Sequence, residues 1–334
     1  SLVTRRLGQE ASESLVGPLL AGLHAGDADR LSVAATFPEL RSWERDHGSL
    51  IRGSKASIKA ARARNGQGAE PAMFATVWTG LSRLVSVLVQ AIGPERVVLD
   101  SPVASIHRSP GRWVVDVDGH ERTAKAVVIA APAFEAARLL DQESPHAASE
   151  LAGIPYVSTG VVTMAYPPGT LTALPPGTGF IVPPNSGLKA ITACTFISSK
   201  WPRTEHANRA VVRCFVGRAG DESWMDSSDS KLVVAVSEDL RKAIGLERTP
   251  EAFRVTRWPR SMPQYDVGHL DRVARIEDAL EETPGMFVVG SPYRGVGIAD
   301  CVRQAGETAS VVRAYLGGDA AHSAPQEEQQ EAPQ

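Results

Sequence analysis

The sequence predicts a protein of mixed class, α/β plus α+β, in which an αβ part is joined to helices and a mostly antiparallel sheet. Three observations lead to this prediction. Apolar residues have helical spacing in residues 1 to about 60, residues 154 to 220 alternate short β-rich runs with Gly/Pro loops, and residues 286 to 317 form a strand, glycine loop and helix pattern. A chain of 334 residues that is 43% hydrophobic is long enough to form two cores.

The first half of the chain contains several elements that can be predicted one by one. Residues 57 to 70 are polar and rich in Ala, Arg and Gly, which indicates an exposed, mobile connection. Residues 81 to 92 have one apolar helical face and end at a Gly-Pro pair. The remaining predictions are strands at residues 97 to 99, 103 to 106 and 113 to 117, the last two paired as a hairpin, and a strand buried on both faces in the apolar run of residues 126 to 133.

The second half predicts an antiparallel sheet followed by a closing αβ unit. Residues 230 to 246 have the spacing of a helix. Residues 286 to 290 are predicted to lie beside residues 127 to 130, because both are apolar runs typical of central strands. The sheet is predicted to contain residues 160 to 165, 179 to 182, 190 to 196 and 210 to 216, and residues 253 to 258 are predicted to form a further strand. The last helix is predicted to pack through Ile298, Val302, Ala305, Ala309, Val312 and Leu316.

Composition argues against several classes of protein. A net charge of −3, with Lys and Arg scattered along the chain, provides no basic surface for nucleic acid. The three cysteines and eight histidines have no metal-ligand spacing, so no metal site is predicted. Prolines interrupt the uncharged residues 151 to 187, which argues against a transmembrane segment. No signal peptide is recognised at the start of the sequence, and we expect a cytoplasmic protein.

The strongest candidate for a ligand contact is the loop GSPYRGVGIADC, which begins at Gly290. Gly295 and Gly297 would allow the backbone to approach a flat or anionic group, and the following helix would direct unpaired N–H groups at it. The same glycines could serve only as a tight turn into the helix, and spacing alone does not decide between these interpretations.

Several segments, taken in order, resemble one family. FVVGSPYRGVGIADCV, at residues 287 to 302, closely resembles the closing flavin motif of oxygen-dependent FAD porphyrinogen oxidases of haem biosynthesis. Residues 17 to 53 resemble the helical segment of that family. TVWTGLSRLVSVLVQAIG and VVLDSPVASIHR resemble its return into the FAD domain, SKWPR and RCFVGR its substrate sheet, and RWPRSMPQY the stretch before the last flavin unit. The resemblance extends from residue 1 to about 316.

This resemblance implies an FAD cofactor and a tetrapyrrole substrate. The backbone of Val103 would hold the adenine edge and Trp258 would lie near the flavin, although either could be an ordinary core or strand residue. No catalytic side chain is predicted, since the cofactor carries the chemistry. The predicted cofactor-binding residues are Val103, Trp258, Gly290, Gly295, Val296, Gly297 and Ile298, and the predicted substrate-binding residues are Gly179, Ile181 and Phe215, which could also simply fill the core of the sheet.

The implied reaction is the FAD- and oxygen-dependent oxidation of a porphyrinogen to a porphyrin, with release of hydrogen peroxide. Coproporphyrinogen III is favoured over protoporphyrinogen IX because no membrane signal is recognised, and handover of the product to another enzyme of haem synthesis is an expectation. A flavin amine oxidase or a carotenoid desaturase is an alternative, against which residues 17 to 53 argue. Another alternative is a non-catalytic product that binds a porphyrin or a partner protein.

The sequence departs from the family at its beginning, because residues 1 to 31 contain no G-x-G-x-x-G motif. We therefore interpret the chain as a carboxy-terminal fragment with an incomplete, Rossmann-like FAD-binding domain of the flavin amine oxidase type, inactive by itself. The predicted divisions are a helical part of the substrate domain (1–72), the middle of the FAD-binding domain (73–140), the substrate sheet (141–268), the end of the FAD-binding domain (269–317) and a disordered tail (318–334).

Overall fold

The amino-terminal part of the protein is helical, as predicted. The computed structural model describes residues 2–65, 75–183, 185–201 and 209–322. The prediction of a mobile connection at residues 57 to 70 is wrong as far as residue 65, because Ala, Arg and Lys are strong helix formers even in a polar stretch; residues 66 to 70 lie outside the described residues. The elements are α1 (Leu2–Leu7), α2 (Gln9–Ala11), a π-helical turn (Ser12–Val16), α3 (Gly17–His24), α4 (Val33–Thr36), α5 (Pro38–His47) and α6 (Leu50–Asn65).

Helix α7 (Ser82–Ile92) has the predicted apolar face, but this face is open. Val85 is 61% exposed and Leu88 is 51% exposed. In the described part of the chain, α7 has no buried residue. A helix with an apolar stripe normally packs that stripe against a core, so α7 presents an uncovered packing surface.

A three-stranded antiparallel sheet follows α7. The predicted hairpin is confirmed, and a third strand extends it, because Asp118 and Gly119 both have positive φ, as a two-residue hairpin turn requires. Residues 97 to 99 are not in a strand. The elements here are β1 (Val103–Ser109), β2 (Arg112–Val117), β3 (His120–Ala124), β4 (Val127–Ile129), α8 (Ala133–Leu140) and α9 (Pro145–Ala152).

The predicted antiparallel sheet is confirmed and has five strands in the order β6-β7-β8-β5-β9. Apolar side chains on one face, such as Val162 and Val212, pack in a core with Leu232 and Val236 of the following helix. Ser228 caps that helix by accepting a hydrogen bond from the Lys231 N–H. The elements are β5 (Tyr156–Pro168), β6 (Gly179–Ile181), β7 (Ile191–Phe196), α10 (Ile197–Lys200), β8 (Arg209–Val216), α11 (Asp229–Ile244) and β9 (Ala252–Pro263).

The last unit consists of α12 (His269–Glu281), β10 (Met286–Val288) and α13 (Ile298–His322). As predicted, β10 pairs with β4, in parallel, with Met286 opposite Val127. The prediction that the β4 strand is buried on both faces is wrong, since Val128 is 43% exposed. These two strands form a sheet by themselves in the described part of the chain.

Helix α13 differs from its prediction in two respects. It continues past residue 318 to His322, although Gly317 and Gly318 are poor helix formers, and residues 323 to 334 lie outside the described residues. The face that was predicted to pack is open: Ile298 is 56% exposed and Val302 is 62% exposed. These two residues have no apolar element over them in the described structure, as also holds for α7.

Two cores hold these elements together. The first joins β1, β2, β4, α8, α9, α12 and β10, and includes Trp113, Leu140, Ile276 and Met286. Leu151 of α9 also belongs to it, so this core extends beyond the predicted division at residue 140. The second core lies between the five-stranded sheet and α11.

Candidate functional site

A cavity of about 660 Å³ lies against the face of the five-stranded sheet that is turned away from α11. Strands β5, β8 and β9 form its walls, and Gly22 and Ala25, at the end of α3, close one side. Gly22 and Ala25 belong to residues 17 to 53 and Phe215 belongs to the sheet, so the helical segment and the sheet face one cavity. The volume lies within the range of small-molecule and cofactor sites.

The three predicted substrate residues lie on this face of the sheet, with different surroundings. Phe215 lines the cavity. Ile181 lies where α3 meets the sheet, because a Cβ atom built on Gly22 would be 4.0 Å from its Cγ2 atom. Gly179 has a φ of +149°, and a Cβ atom there would collide with the carbonyl oxygen of Cys194, so the sheet itself requires this glycine. Contact of the three with a substrate stays a prediction.

The cavity walls also contain two cations that the sequence reasoning missed. Arg213 of β8 and Arg254 of β9 line the same cavity as Trp258 and Phe215. A cavity that binds a flat, apolar ligand usually has few charged groups in its walls, and these two arginines depart from that pattern. Alternation along the strands could have placed both arginines on this face, because each is two residues from another cavity-lining position.

The glycine loop between β10 and α13 has the backbone that its sequence predicts. Gly290 and Gly295 both have a φ of +127°, which only glycine adopts without strain. The Asp300 side chain lies against Gly295, where an added Cβ atom would be 2.5 Å from the carboxyl carbon. The Cys301 N–H donates to the carbonyl oxygen of Gly297, so the N–H groups of the preceding turn point out of the start of α13.

Tyr265 fixes this loop, and the sequence reasoning gave it no role. Its hydroxyl accepts a hydrogen bond from the Gly295 N–H at 2.9 Å and donates one to the carbonyl oxygen of Ser291 at 2.6 Å. Its ring stacks on His269 with the centroids 4.0 Å apart. Since Tyr265 lies two residues after the end of β9, it connects the strand that lines the cavity with the glycine loop.

His269 also holds the loop in place. Its Nε2 atom lies 2.9 Å from the carbonyl oxygen of Tyr293, so the neutral ring donates this hydrogen bond as its Nε2–H tautomer. Burial lowers the pKa of His269 and raises the pKa of Tyr265. Both side chains are therefore neutral at pH 7 and hold the loop through hydrogen bonds.

Comparison with known proteins identifies the family. The family model described as flavin containing amine oxidoreductase matches residues 1–313. The chain belongs to this family. It is 37% identical to the coproporphyrinogen III oxidase of Bacillus subtilis (strain 168) over 314 residues, which are 93% of this chain and 66% of that protein.

Two further comparisons agree with this assignment. The chain is 28% identical to the chloroplastic protoporphyrinogen oxidase of Oryza sativa subsp. japonica, over 94% of this chain and 62% of that protein. A crystal structure from Exiguobacterium sp. 255-15 superimposes with a TM-score of 0.78 and 32% identity, over 94% of this chain and 66% of that one. The chain thus spans slightly under two thirds of the length of these relatives.

The loop and the start of α13 suit the flavin that the family name denotes. Outward N–H groups at the start of a helix carry a partial positive charge of roughly +0.5, which favours an anionic edge or a phosphate. Gly290 leaves open space, because an added Cβ atom would meet only Pro292, at 3.6 Å. The exposed side chain of Ile298 adds an apolar surface beside it. A flat ring with one electron-rich edge fits this combination.

The other two predicted cofactor residues, Val103 and Trp258, lie outside the loop, on β1 and β9. Arg138 donates to the carbonyl oxygen of Val103, at 2.8 Å, so part of the backbone expected to hold the adenine edge already has a protein partner. Trp258 lines the cavity and is 44% exposed. Among the described residues no hydrogen bond or ring contact joins Trp258 to the glycine loop. The cofactor roles of Val103, Trp258, Gly290, Gly295, Val296, Gly297 and Ile298 stay predictions.

The described residues contain no group of His, Cys, Asp and Glu that could hold a metal ion. No helix among them is both long enough and apolar enough to span a bilayer.

Proposed function

We propose that the complete protein uses FAD and oxygen to oxidise a porphyrinogen to a porphyrin, with coproporphyrinogen III as its substrate and hydrogen peroxide as the second product. The observation that supports this best is the connection between a cavity of about 660 Å³ and the glycine loop through β9 and Tyr265. The cavity is large enough for a small-molecule ligand, and the loop suits a flavin. Each pair of hydrogens removed from the substrate reduces one oxygen molecule to one peroxide.

The side chains of the cavity would position the macrocycle. Phe215, Val161 and Trp258 offer apolar surface to its faces, and burial against them would exclude water. The cavity walls in the described chain contain no Asp, Glu, His or Lys. A general acid or base from these walls is therefore not part of the proposal, and the bound flavin would supply the hydrogen-accepting chemistry.

The start of α13 would contribute electrostatically. Its N–H groups would face the flavin edge that becomes negative on reduction, and a fixed dipole stabilises such charge without having to reorganise. Tyr265 would act as a positioning residue, since it holds the Gly295 N–H in place. His269 would keep Tyr265 in place by stacking.

Activity is proposed for the complete protein because two apolar surfaces of the flavin-binding half are open. The sheet formed by β4 and β10 has two strands, and purely parallel sheets are normally covered on both faces. The apolar face of α7 is equally uncovered. We propose that the additional length of the relatives corresponds to a segment with the glycine-rich βαβ unit, which would extend this sheet and hold the FAD pyrophosphate.

The choice of coproporphyrinogen III over protoporphyrinogen IX is supported by the higher identity to the bacterial enzyme, 37% against 28% for the chloroplast enzyme. A cytoplasmic location and handover of the porphyrin to another enzyme of haem synthesis remain part of the proposal.

The test is a turnover assay with the complete, flavin-loaded protein. Coproporphyrinogen III should yield fluorescent coproporphyrin III and three peroxides per porphyrin, because six hydrogens leave the macrocycle. Protoporphyrinogen IX and cyclohexylamine serve as competing substrates. Peroxide formed from the amine but from neither porphyrinogen would contradict the proposal, as would porphyrin formation without oxygen consumption.

A further inference from the structure

One row of the sheet places two arginines side by side over the cavity. Arg213 of β8 and Arg254 of β9 are both register partners of Thr163 on the strand between them, β5. Side chains of register partners in antiparallel strands lie on the same face. Two strand spacings separate the two arginine backbones, which is about 10 Å. The row thus presents two guanidinium groups and a hydroxyl toward one ligand space.

These two arginines differ from the other arginines of the same strands. Arg209 pairs with Glu251, and Arg257 lies 2.5 Å from the carboxylate of Asp229. Arg260 stacks on the ring of Phe134, with 3.9 Å between its guanidinium carbon and the ring centroid. Within the part of the chain that the structure describes, Arg213 and Arg254 have neither an ion pair nor a hydrogen bond.

The surroundings of the pair favour an anion. Thr159, Thr163, Thr256 and Ser261 are further polar side chains on the cavity walls, and none of the described wall residues is an acid. Two uncompensated positive charges in one cavity raise the local concentration of anionic ligands. Guanidinium groups also match the planar geometry of a carboxylate, to which they can donate two parallel hydrogen bonds.

We propose that Arg213 and Arg254 bind two propionate carboxylates on the rim of the tetrapyrrole, while Phe215 and Trp258 contact its apolar faces. This assignment rests on the proposed function and specifies its substrate as a polycarboxylate. The separation of about 10 Å between the two arginine backbones suits carboxylates on different pyrrole rings, so that each arginine binds one carboxylate. Thr163, between them, offers a hydroxyl to either carboxylate.

The experiment measures binding, not turnover, in the complete flavin-loaded protein. The variants are Arg213→Gln, Arg254→Gln and the double variant, with Arg213→Lys and Arg254→Lys as substitutions that keep the charge but not the guanidinium geometry. Arg241→Gln is the matched control, because Arg241 is an exposed arginine of α11, on the other side of the sheet, paired with Glu238. The probes are coproporphyrin III and its tetramethyl ester, and the dissociation constants come from fluorescence quenching at low and at high salt.

Each Gln substitution should weaken coproporphyrin III binding about threefold and the double variant about tenfold, since both arginines are partly open to solvent. Binding of the ester should not change, and the Lys variants should bind with an affinity between those of the parent protein and of the Gln variants, because lysine keeps the charge but cannot donate two parallel hydrogen bonds to one carboxylate. Salt should weaken coproporphyrin III binding to the parent protein and have little effect on the double variant.

Two results would overturn the assignment in different ways. Coproporphyrin III that binds the parent protein and the double variant equally well would remove the arginines from the site but leave the proposed function intact. A flavin-loaded parent protein that binds no porphyrin at all would contradict the proposed function itself, and the arginine assignment with it.

Discussion

Removal of the Tyr265 hydroxyl tests whether this residue holds the glycine loop. Tyr265→Phe leaves the Gly295 N–H without its acceptor and the Ser291 carbonyl oxygen without this donor. Tyr265 is 1% exposed, so water reaches the vacated position poorly. A buried group left without its partner costs about 1–3 kcal/mol, and Gly295 is half-buried, so its N–H can regain some hydration. We expect the free energy of unfolding to fall by about 2–3 kcal/mol.

The assay is urea unfolding followed by intrinsic fluorescence, in which a loss of stability lowers the midpoint without changing the slope. Tyr293→Phe is the matched control. Tyr293 is also buried in the same loop, but its hydroxyl has no hydrogen-bond partner among the described residues. Removal of an unsatisfied hydroxyl should leave stability unchanged or raise it by up to about 1 kcal/mol. The reasoning would be refuted if the two variants lost the same stability, or if Tyr265→Phe unfolded at the midpoint of the parent protein.

Three further predictions concern Gly295, His269 and the open apolar surfaces of the chain. Gly295→Ala should destabilise the protein and weaken flavin retention, because the φ of Gly295 is +127° and the new Cβ atom would lie 2.5 Å from the Asp300 carboxyl carbon. The control is Gly306→Ala, in open space on α13, which should be neutral or stabilising in thermal unfolding. Because burial lowers the pKa of His269, the unfolded state takes up a proton first as pH falls below the ordinary value of 6.5; stability should therefore decline in acid, and His269→Gln should make its pH profile flatter, though not flat, since burial also lowers the pKa of His24. Residues 1 to 334 expressed alone should retain little FAD and tend to aggregate through the open apolar surfaces, and a yellow, active preparation would disprove the need for a further segment.

The elements that could be predicted from the sequence are those whose pattern is local. The strands of the five-stranded sheet were predicted from short apolar runs between Gly/Pro loops, and the position of residues 286 to 288 beside residues 127 to 129 was predicted because both are apolar runs typical of central strands. The helix through residue 65 was missed because a polar composition was interpreted as a loop, although its residues favour helix. The exposure of α7 and of Val128 could not be predicted, since an apolar pattern shows which face of an element would pack but not whether another element packs against it.

The candidate site also combines features that could be predicted from the sequence with features that could not. The glycines of the closing loop could be predicted, because positive φ leaves few alternatives to glycine. The partners of the loop could not, since Tyr265 and Gly295 are joined only by the tertiary fold. Alternation along each strand indicates the face of Arg213 and of Arg254, but their position in one row depends on the register of three strands, which the sequence does not provide.

The most direct test of the account is a single anaerobic mixing experiment with the complete, flavin-loaded protein and coproporphyrinogen III. We predict that the yellow absorbance of the oxidised flavin disappears at a rate that rises with porphyrinogen concentration and saturates, and that admission of oxygen restores it with formation of peroxide. Flavin that stays oxidised while coproporphyrinogen III is bound would contradict the central claim that a porphyrinogen in this cavity is oxidised by a flavin bound at this glycine loop.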